Sequence, residues 1–223
     1  MDPLARALEL LAAIAPEAQQ KLVAQQFRQA SGLLGPLWGW LMNRGNGRMI
    51  ASAVELLDHG PASHIAEIGV GGGAALQRLL PRLPVGRLTG TELSEVLLEA
   101  ARRKFARDLR AGRLELVRAA VEQLPCGESS IDAVLTVNTI YFWTAPEEGL
   151  AELFRILRPG GQLLIAFRPA PALRRYRYSQ HGLTLYAPVE VEALLRQAGF
   201  TGIRLVERHD DRLGYCCALS RRP

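Results

Sequence analysis

The chain has 223 residues, 48% of them hydrophobic and 22% charged, and carries a formal charge of +5 with a pI near 9.5. Such a chain buries a sizeable core as one medium globular domain with a small helical annex, and no window approaches the ~18 uncharged apolar residues of a membrane span. Asp2 and Glu9 interrupt the basic-then-apolar order of a signal peptide, so a soluble, cytoplasmic protein without membrane association is expected.

Residues 1–62 read as an N-terminal helical cap. Leu4, Leu8, Leu11 and Ala15 share one side at helical spacing, the pattern resumes through QQKLVAQQF, and SGLLGP breaks it. A glycine-punctuated loop around Asn43 to Gly47 then leads into a helix that stops at Gly60.

From His64 the rhythm changes. Short apolar runs (HIAEIG, RLTGTEL, LELVRAAV, IDAVLTVN, GQLLIAF, GIRLVERH and GYCCALS) read as strands, and AALQRLLPRL, SEVLLEAARRKFARDL and PEEGLAELFRIL between the early ones have the period of helices. This alternation predicts an α/β fold over residues 63–223: a doubly wound, mostly parallel seven-stranded sheet with right-handed crossovers. Only DDRL separates the last two strands, too short for a crossover helix, so they should form a C-terminal antiparallel hairpin.

Arg102, Arg103, Arg107 and Arg110 coat one side of the second of these helices. No aromatic is interleaved to stack bases, so a solvated helix face explains them better than a nucleic-acid surface. Cys126, Cys216 and Cys217 read as reduced thiols packed as small apolar groups, and His59, His64, His181 and His209 fall at no metal-ligand spacing, so no metal is expected.

The stretch IAEIGVGGG places Gly69, Gly71, Gly72 and Gly73 in the first strand-to-helix turn, the usual cofactor contact of such sheets. Its glycines free the backbone angles and leave amide donors at a helix N-terminus. GVGGGA also satisfies the dinucleotide pattern ending in Ala74, so the turn alone leaves both a nicotinamide and an adenosyl cofactor open. Glu67, at the strand tip, would repel a pyrophosphate and suits a ligand bearing a cationic amine. Glu92, ending the next strand, is placed to accept from two ribose hydroxyls, a feature that serves either ligand.

Taken together, EIGVGGG, GTELSEVLLEAARRKF, VEQLPCGESSIDAVLTVNTIYFW and EEGLAELFRILRPGGQLLIAF resemble class I S-adenosylmethionine-dependent methyltransferases, and the small-molecule branch that includes quinone methyltransferases in particular. The resemblance is dense over residues 64–168. It implies S-adenosyl-L-methionine as cofactor, with Glu67 and the Gly69–Gly73 turn along its methionine moiety, Glu92 on both ribose hydroxyls, Leu93 beside the adenine, and Asn138 near the transferable methyl. The chain departs from the pattern at Ala120 and Val121, where many relatives have Asp then Ala. The usual carboxylate for the adenine amino group is therefore missing, and backbone near Val121 and Glu122, or a water, is expected to serve. Glu122 itself reads equally as part of the adenine contact or, plainly, as a cap or exposed surface.

For the acceptor, Tyr141, Phe142 and Trp143 are expected to overhang the methyl, Tyr141 offering a phenolic hydroxyl for catalysis and Trp143 a wall, with packing under the N-terminal helices as the plain alternative. The insertion RPAPALRRYRYSQHGLTLY adds Arg174 and Tyr178 as substrate contacts, beside Arg175, Tyr176 and Arg177, and His181 as a second candidate for catalysis; a solvated loop is the bland alternative. Trp38, Trp40 and Met42 are candidates for a lid, and Asn43, Arg44 and Asn46 are placed to reach the cofactor's carboxylate. The expected function is methyl transfer to a small aromatic or acidic molecule by a monomer or homodimer. Methylation of RNA or another nucleic acid is the alternative, disfavoured because VNTIYF stands where amino-methylating enzymes carry an N-P-P-Y motif; an NAD-dependent oxidoreductase is more distant.

Overall fold

The computed structural model describes residues 17–32, 44–210 and 213–223. The first predicted helix around Leu4 to Ala15, the lid candidates Trp38, Trp40 and Met42, and Asn43 lie outside the described residues.

Seven strands form one sheet: β1 (His64–Ile68), β2 (Arg87–Thr91), β3 (Leu114–Val117), β4 (Ile131–Val137), β5 (Leu157–Phe167), β6 (Thr201–His209) and β7 (Gly214–Arg221). Their spatial order is β3-β2-β1-β4-β5-β7-β6, parallel from β3 through β5 and antiparallel across β5, β7 and β6. The expected hairpin is present. The central strands β1, β4, β5 and β7 read as near-continuous apolar runs because both faces of the sheet are covered there, whereas the edge strand β6 is largely exposed. Alternation sorts the side chains: Ile65, Ala133, Leu135, Leu164, Ala166 and Cys217 enter one core, while Ala66, Val134, Leu163, Ile165, Phe167 and Cys216 enter the other. Adjacent Cys216 and Cys217 therefore point to opposite faces, and burial pushes their thiols up to about 12 and 11.

The helices are α1 (Glu17–Arg28), α2 (Gly47–Leu56), α3 (Ala74–Leu79), α4 (Glu95–Lys104), α5 (Ala106–Arg110), α6 (Pro146–Ile156), α7 (Ala170–Leu173) and α8 (Pro188–Gln197). Ser94 caps α4 by accepting from Leu97 N at 3.3 Å, and Glu95 in its first turn with Arg102, Arg103 and Lys104 in its last complement the helix dipole. Of the arginines on this stretch, Arg102 pairs with Glu95 and Glu99, and Arg103, Arg107 and Arg110 are exposed. The predicted long helix is broken at Phe105, whose ring packs against Gly73 in the first turn.

Met49, Ile50, Ala53 and Val54 of α2 lie in the same core as Leu76, Leu135 and Leu164, and Ser52 Oγ bonds Tyr215 Oη at 2.8 Å. Helix α2 is thus a layer of the sheet sandwich, and the packed unit begins upstream of residue 63. Among the described residues, α1 is what remains of the expected cap. It lies against the short helical turn Arg177–Gln180 of the insertion after β5.

Candidate active site

After β1 the chain turns toward β2, and after β3 it crosses to β4, so the carboxyl ends of β1 and β4 part at a topological switch point. A cavity of about 400 Å³ opens there.

Its floor at one end is the glycine turn. Gly69 N and Val70 N both donate to Thr91 O, at 2.8 and 2.9 Å, stitching the turn to the tip of β2. Gly69, Gly71 and Gly73 have φ of 78°, 53° and 73°, in the left-handed region that glycine tolerates. Their reasons differ. A Cβ on Gly69 would collide with Thr139 Cγ2, and one on Gly73 would lie 2.6 Å from Phe105 Cε2, whereas one on Gly71 would meet nothing within 4 Å. Gly69 and Gly73 make room for the protein itself, and Gly71 faces the cavity.

Two buried carboxylates stand at the strand tips. Glu92 accepts from Gly71 N through Oε2 at 2.8 Å and from Ser94 N through Oε1 at 2.9 Å; burial raises its pKa and these amides oppose the rise. Glu67 is 4% exposed, and its Oε2 has no hydrogen-bond partner. Desolvation, then the charge of Glu92, push Glu67 up to about 8. With two amides on Glu92 and an unpartnered oxygen on Glu67, the pair's negative charge rests on Glu92.

The opposite end is built from β4, β5 and the insertion. Asn138 takes the left-handed conformation at φ 57° and donates its backbone N–H to Ala166 O at 2.8 Å. Tyr141 is 4% exposed; its hydroxyl accepts from Arg168 N and donates toward Asn138 Oδ1 at 3.0 Å, and desolvation raises its pKa. Trp143 Nε1 donates to Thr139 Oγ1 at 3.1 Å, and Thr139 in turn bonds Thr136, which donates to Ile68 O at 2.9 Å. Arg168, just past β5, donates to Asp210 Oδ2 at 2.7 Å and Asn46 Oδ1 at 3.3 Å, in a pair whose side chains are 8% and 6% exposed.

The cavity gathers Glu67, Gly69, Gly71, Gly72, Glu92 and Leu93 from the first part of the expected site, then Ala120, Val121, Asn138, Tyr141, Trp143 and Tyr178. Gly73 lies behind it. Two expected acceptor-side residues do not line the cavity: Arg174 is exposed, and His181 faces an adjoining hollow with Lys21 that shares Arg28 and Leu93 with the cavity. An insertion without periodicity gives no basis in sequence for orienting its side chains. Arg168, Leu173 and Leu183 line the cavity unforeseen. The signal for Arg168 is an arginine directly after the five apolar residues LLIAF, which calls for a buried partner. Glu122 resolves as a cap: its Oε1 accepts from Thr144 Oγ1 at 2.9 Å, Thr144 N at 3.2 Å and Ala145 N at 3.4 Å, at the start of α6.

Residues 66–165 match the family model described as a methyltransferase domain. That stretch, which runs from β1 into β5 and holds the glycine turn, is similar to class I S-adenosylmethionine-dependent methyltransferases. An uncharacterized methyltransferase of Bacillus subtilis, YdaC, is 28% identical over 134 residues, 60% of this chain and 72% of that protein. The ubiquinone/menaquinone biosynthesis C-methyltransferase UbiE of Geotalea daltonii is 26% identical over 130 residues, 58% of this chain and 55% of that protein. In fold, the domain superposes on a chain from the complex of the Haloferax volcanii Trm112 methyltransferase activator with a methyltransferase, at a TM-score of 0.74 and 18% identity, over 92% of this chain and 98% of that one.

The residues of this methyltransferase domain fit S-adenosylmethionine as cofactor. Gly71 leaves open space over the turn, Glu67 keeps one acceptor for a cation, and the Glu92 oxygens retain lone pairs for hydroxyl donors beyond the two amides they hold. No helix among the described residues is long and apolar enough to cross a membrane, and no group of histidines, cysteines and carboxylates there is arranged to hold a metal.

Proposed function

We propose that the domain transfers the methyl group of S-adenosylmethionine to a small acceptor with an aromatic or largely apolar body. The supporting observation is the continuity of the cavity: the carboxylate and glycine cradle runs into a wall of Tyr141, Phe142, Trp143, Leu173, Tyr178 and Leu183. The one buried guanidinium on that wall, Arg168, is already neutralised by Asp210. Arg174, Arg175 and Arg177 are exposed outside it. An acidic acceptor is therefore less well matched than an aromatic one, and the Geotalea relative, a C-methyltransferase of ubiquinone/menaquinone biosynthesis, points the same way.

The bound cofactor supplies an electrophilic methyl on a sulfonium sulfur. The chain supplies alignment and exclusion of water. Glu67 takes the cationic amine and Glu92 the ribose. Leu93 and the loop at Ala120 and Val121 flank the adenine, and Asn138 stands where the cofactor's methyl end meets the acceptor. Tyr141 is a positioning residue: its neutral phenol holds Asn138 Oδ1 and the Arg168 backbone, so it is not free to act as a base.

Calorimetric titration with S-adenosylhomocysteine tests the cofactor half, with a loss of about 2 kcal/mol, roughly 30-fold, expected for Glu92→Ala. Labelled methyl transfer to a panel of phenols, hydroquinones and aliphatic acids tests the acceptor half, and turnover confined to the aliphatic acids would overturn the aromatic assignment. The exposed arginines of the insertion support a second reading, a nucleic-acid substrate. Steeply salt-dependent RNA binding would favour it.

A further inference from the structure

The cavity runs along the strand ends from β4 past β1 and β2 to the loop after β3. With Glu67 at the cationic end and Glu92 on the ribose, the purine falls between Leu93 and the loop residues Ala119 to Glu122, a placement that rests on the cofactor reading above. Three of those four loop residues are apolar and small. Val121 is buried, packed on Gly149 and Trp143. Ala120 O already accepts from Gln123 N at 3.2 Å. The remaining side chain, Glu122, spends one carboxylate oxygen on three donors at the start of α6, which fixes the carboxylate there.

We infer that this domain reads the purine of its cofactor by shape and not by its 6-amino group, and that Ala120 is the position that sets this tolerance. A site with a charged acceptor for that amine would reject a ligand lacking it, because the acceptor would be left buried and unpaired. An alanine at 120 carries no such penalty. Ligands altered at the purine 6-position are then accepted nearly as well as the natural one.

Calorimetry on the full chain decides the matter by comparing S-adenosylhomocysteine with its analogue bearing hydrogen in place of the 6-amino group. The analogue removes the donor and keeps the ring acceptors. Wild-type dissociation constants within about threefold of each other are expected, and a ratio of about tenfold or more in Ala120→Asp, the size of a hydrogen bond to a carboxylate. Thermal unfolding checks that the variant is folded; if it is not, the wild-type ratio decides alone. A wild-type ratio above about tenfold overturns the inference, and its collapse in Glu122→Gln would make Glu122 the reader instead. An unchanged ratio in folded Ala120→Asp overturns it as well, since the amino group would then lie away from residue 120. Binding of neither ligand by the wild type overturns the cofactor reading beneath it.

Discussion

The two ends of the cavity are held by different means. The cofactor end is local: the turn at 69–73, Glu67, Glu92 and Ser94 belong to one stretch of chain and are joined through backbone amides. The acceptor end is assembled from afar. Asn46, Tyr141, Arg168 and Asp210 come from four separate segments and meet around Arg168, whose guanidinium takes Asn46 and Asp210 and whose backbone amide takes the Tyr141 hydroxyl. A local, backbone-held end tolerates loss of one side chain as a binding defect, whereas an end closed by a buried ion pair registers the loss as instability.

Breaking that pair is the severest test of the contrast. Arg168→Ala takes the guanidinium from the buried Asp210 carboxylate, which keeps the Leu213 amide but loses its ion pair, and about 3–5 kcal/mol of stability should be lost in chemical denaturation. The double variant Arg168→Met with Asp210→Leu should recover more than half of that, since apolar replacement of both partners removes the unpaired charge. A loss below about 1 kcal/mol for Arg168→Ala would mean the acceptor end is not closed by this pair.

At the cofactor end the corresponding strain is a proton. Glu67 is ionised in the unfolded chain above its ordinary value of 4.5 but stays protonated in the fold up to about 8, so the native state binds the extra proton between those limits. Its stabilising contribution is complete below pH 4.5 and is lost as pH rises toward 8. Glu67→Gln should therefore gain on the wild type across that window, by about 2–4 kcal/mol at its upper end, while binding S-adenosylhomocysteine more weakly. Parallel melting curves from pH 5 to pH 8 that never converge or diverge would show that Glu67 titrates normally.

The glycine turn sharpens the same comparison within a few residues. Gly73→Ala drives a Cβ into the Phe105 ring from a left-handed backbone, and about 1–3 kcal/mol of stability should go. Gly71→Ala meets no protein atom; beyond about 1 kcal/mol of backbone strain its effect should appear in ligand affinity. Equal stability losses with unchanged binding would remove the distinction between the glycine that serves the fold and the one that serves the ligand.

This division also marks what could be read from residues in order. The strands emerged from uninterrupted apolar runs such as LLIAF, and Glu67, Gly71 and Glu92 from their positions at strand ends, because the whole arrangement is set by near neighbours. The break of the long helix at Phe105 has no signal in the sequence, and the contact of its ring with Gly73 is made only in three dimensions. Arg168 is inconspicuous in the sequence for a related reason: an arginine cluster such as Arg174, Arg175 and Arg177 stands out in order, while a single arginine acquires meaning only beside Asp210 and Asn46. The tips of β4 and β5 were thus half legible, the residues visible and their partners not.

Tyr141→Phe is the mildest probe and bears directly on whether the acceptor end is a catalyst or a scaffold. The substitution keeps the ring and its edge contact with Phe142, centroids 5.9 Å apart, and removes only the oxygen between the Arg168 amide and Asn138 Oδ1. About 1 kcal/mol of stability should be lost, the net value of a buried hydrogen bond with one donor left unsatisfied. Released from the phenol, the Asn138 amide is free to rotate. A positioning role then predicts a fall in kcat with little change in the pH profile of kcat/KM, because no titrating base has been removed. Loss of an alkaline or acid limb from that profile would instead make Tyr141 a proton acceptor, and would require its hydroxyl to leave both partners before the methyl moves.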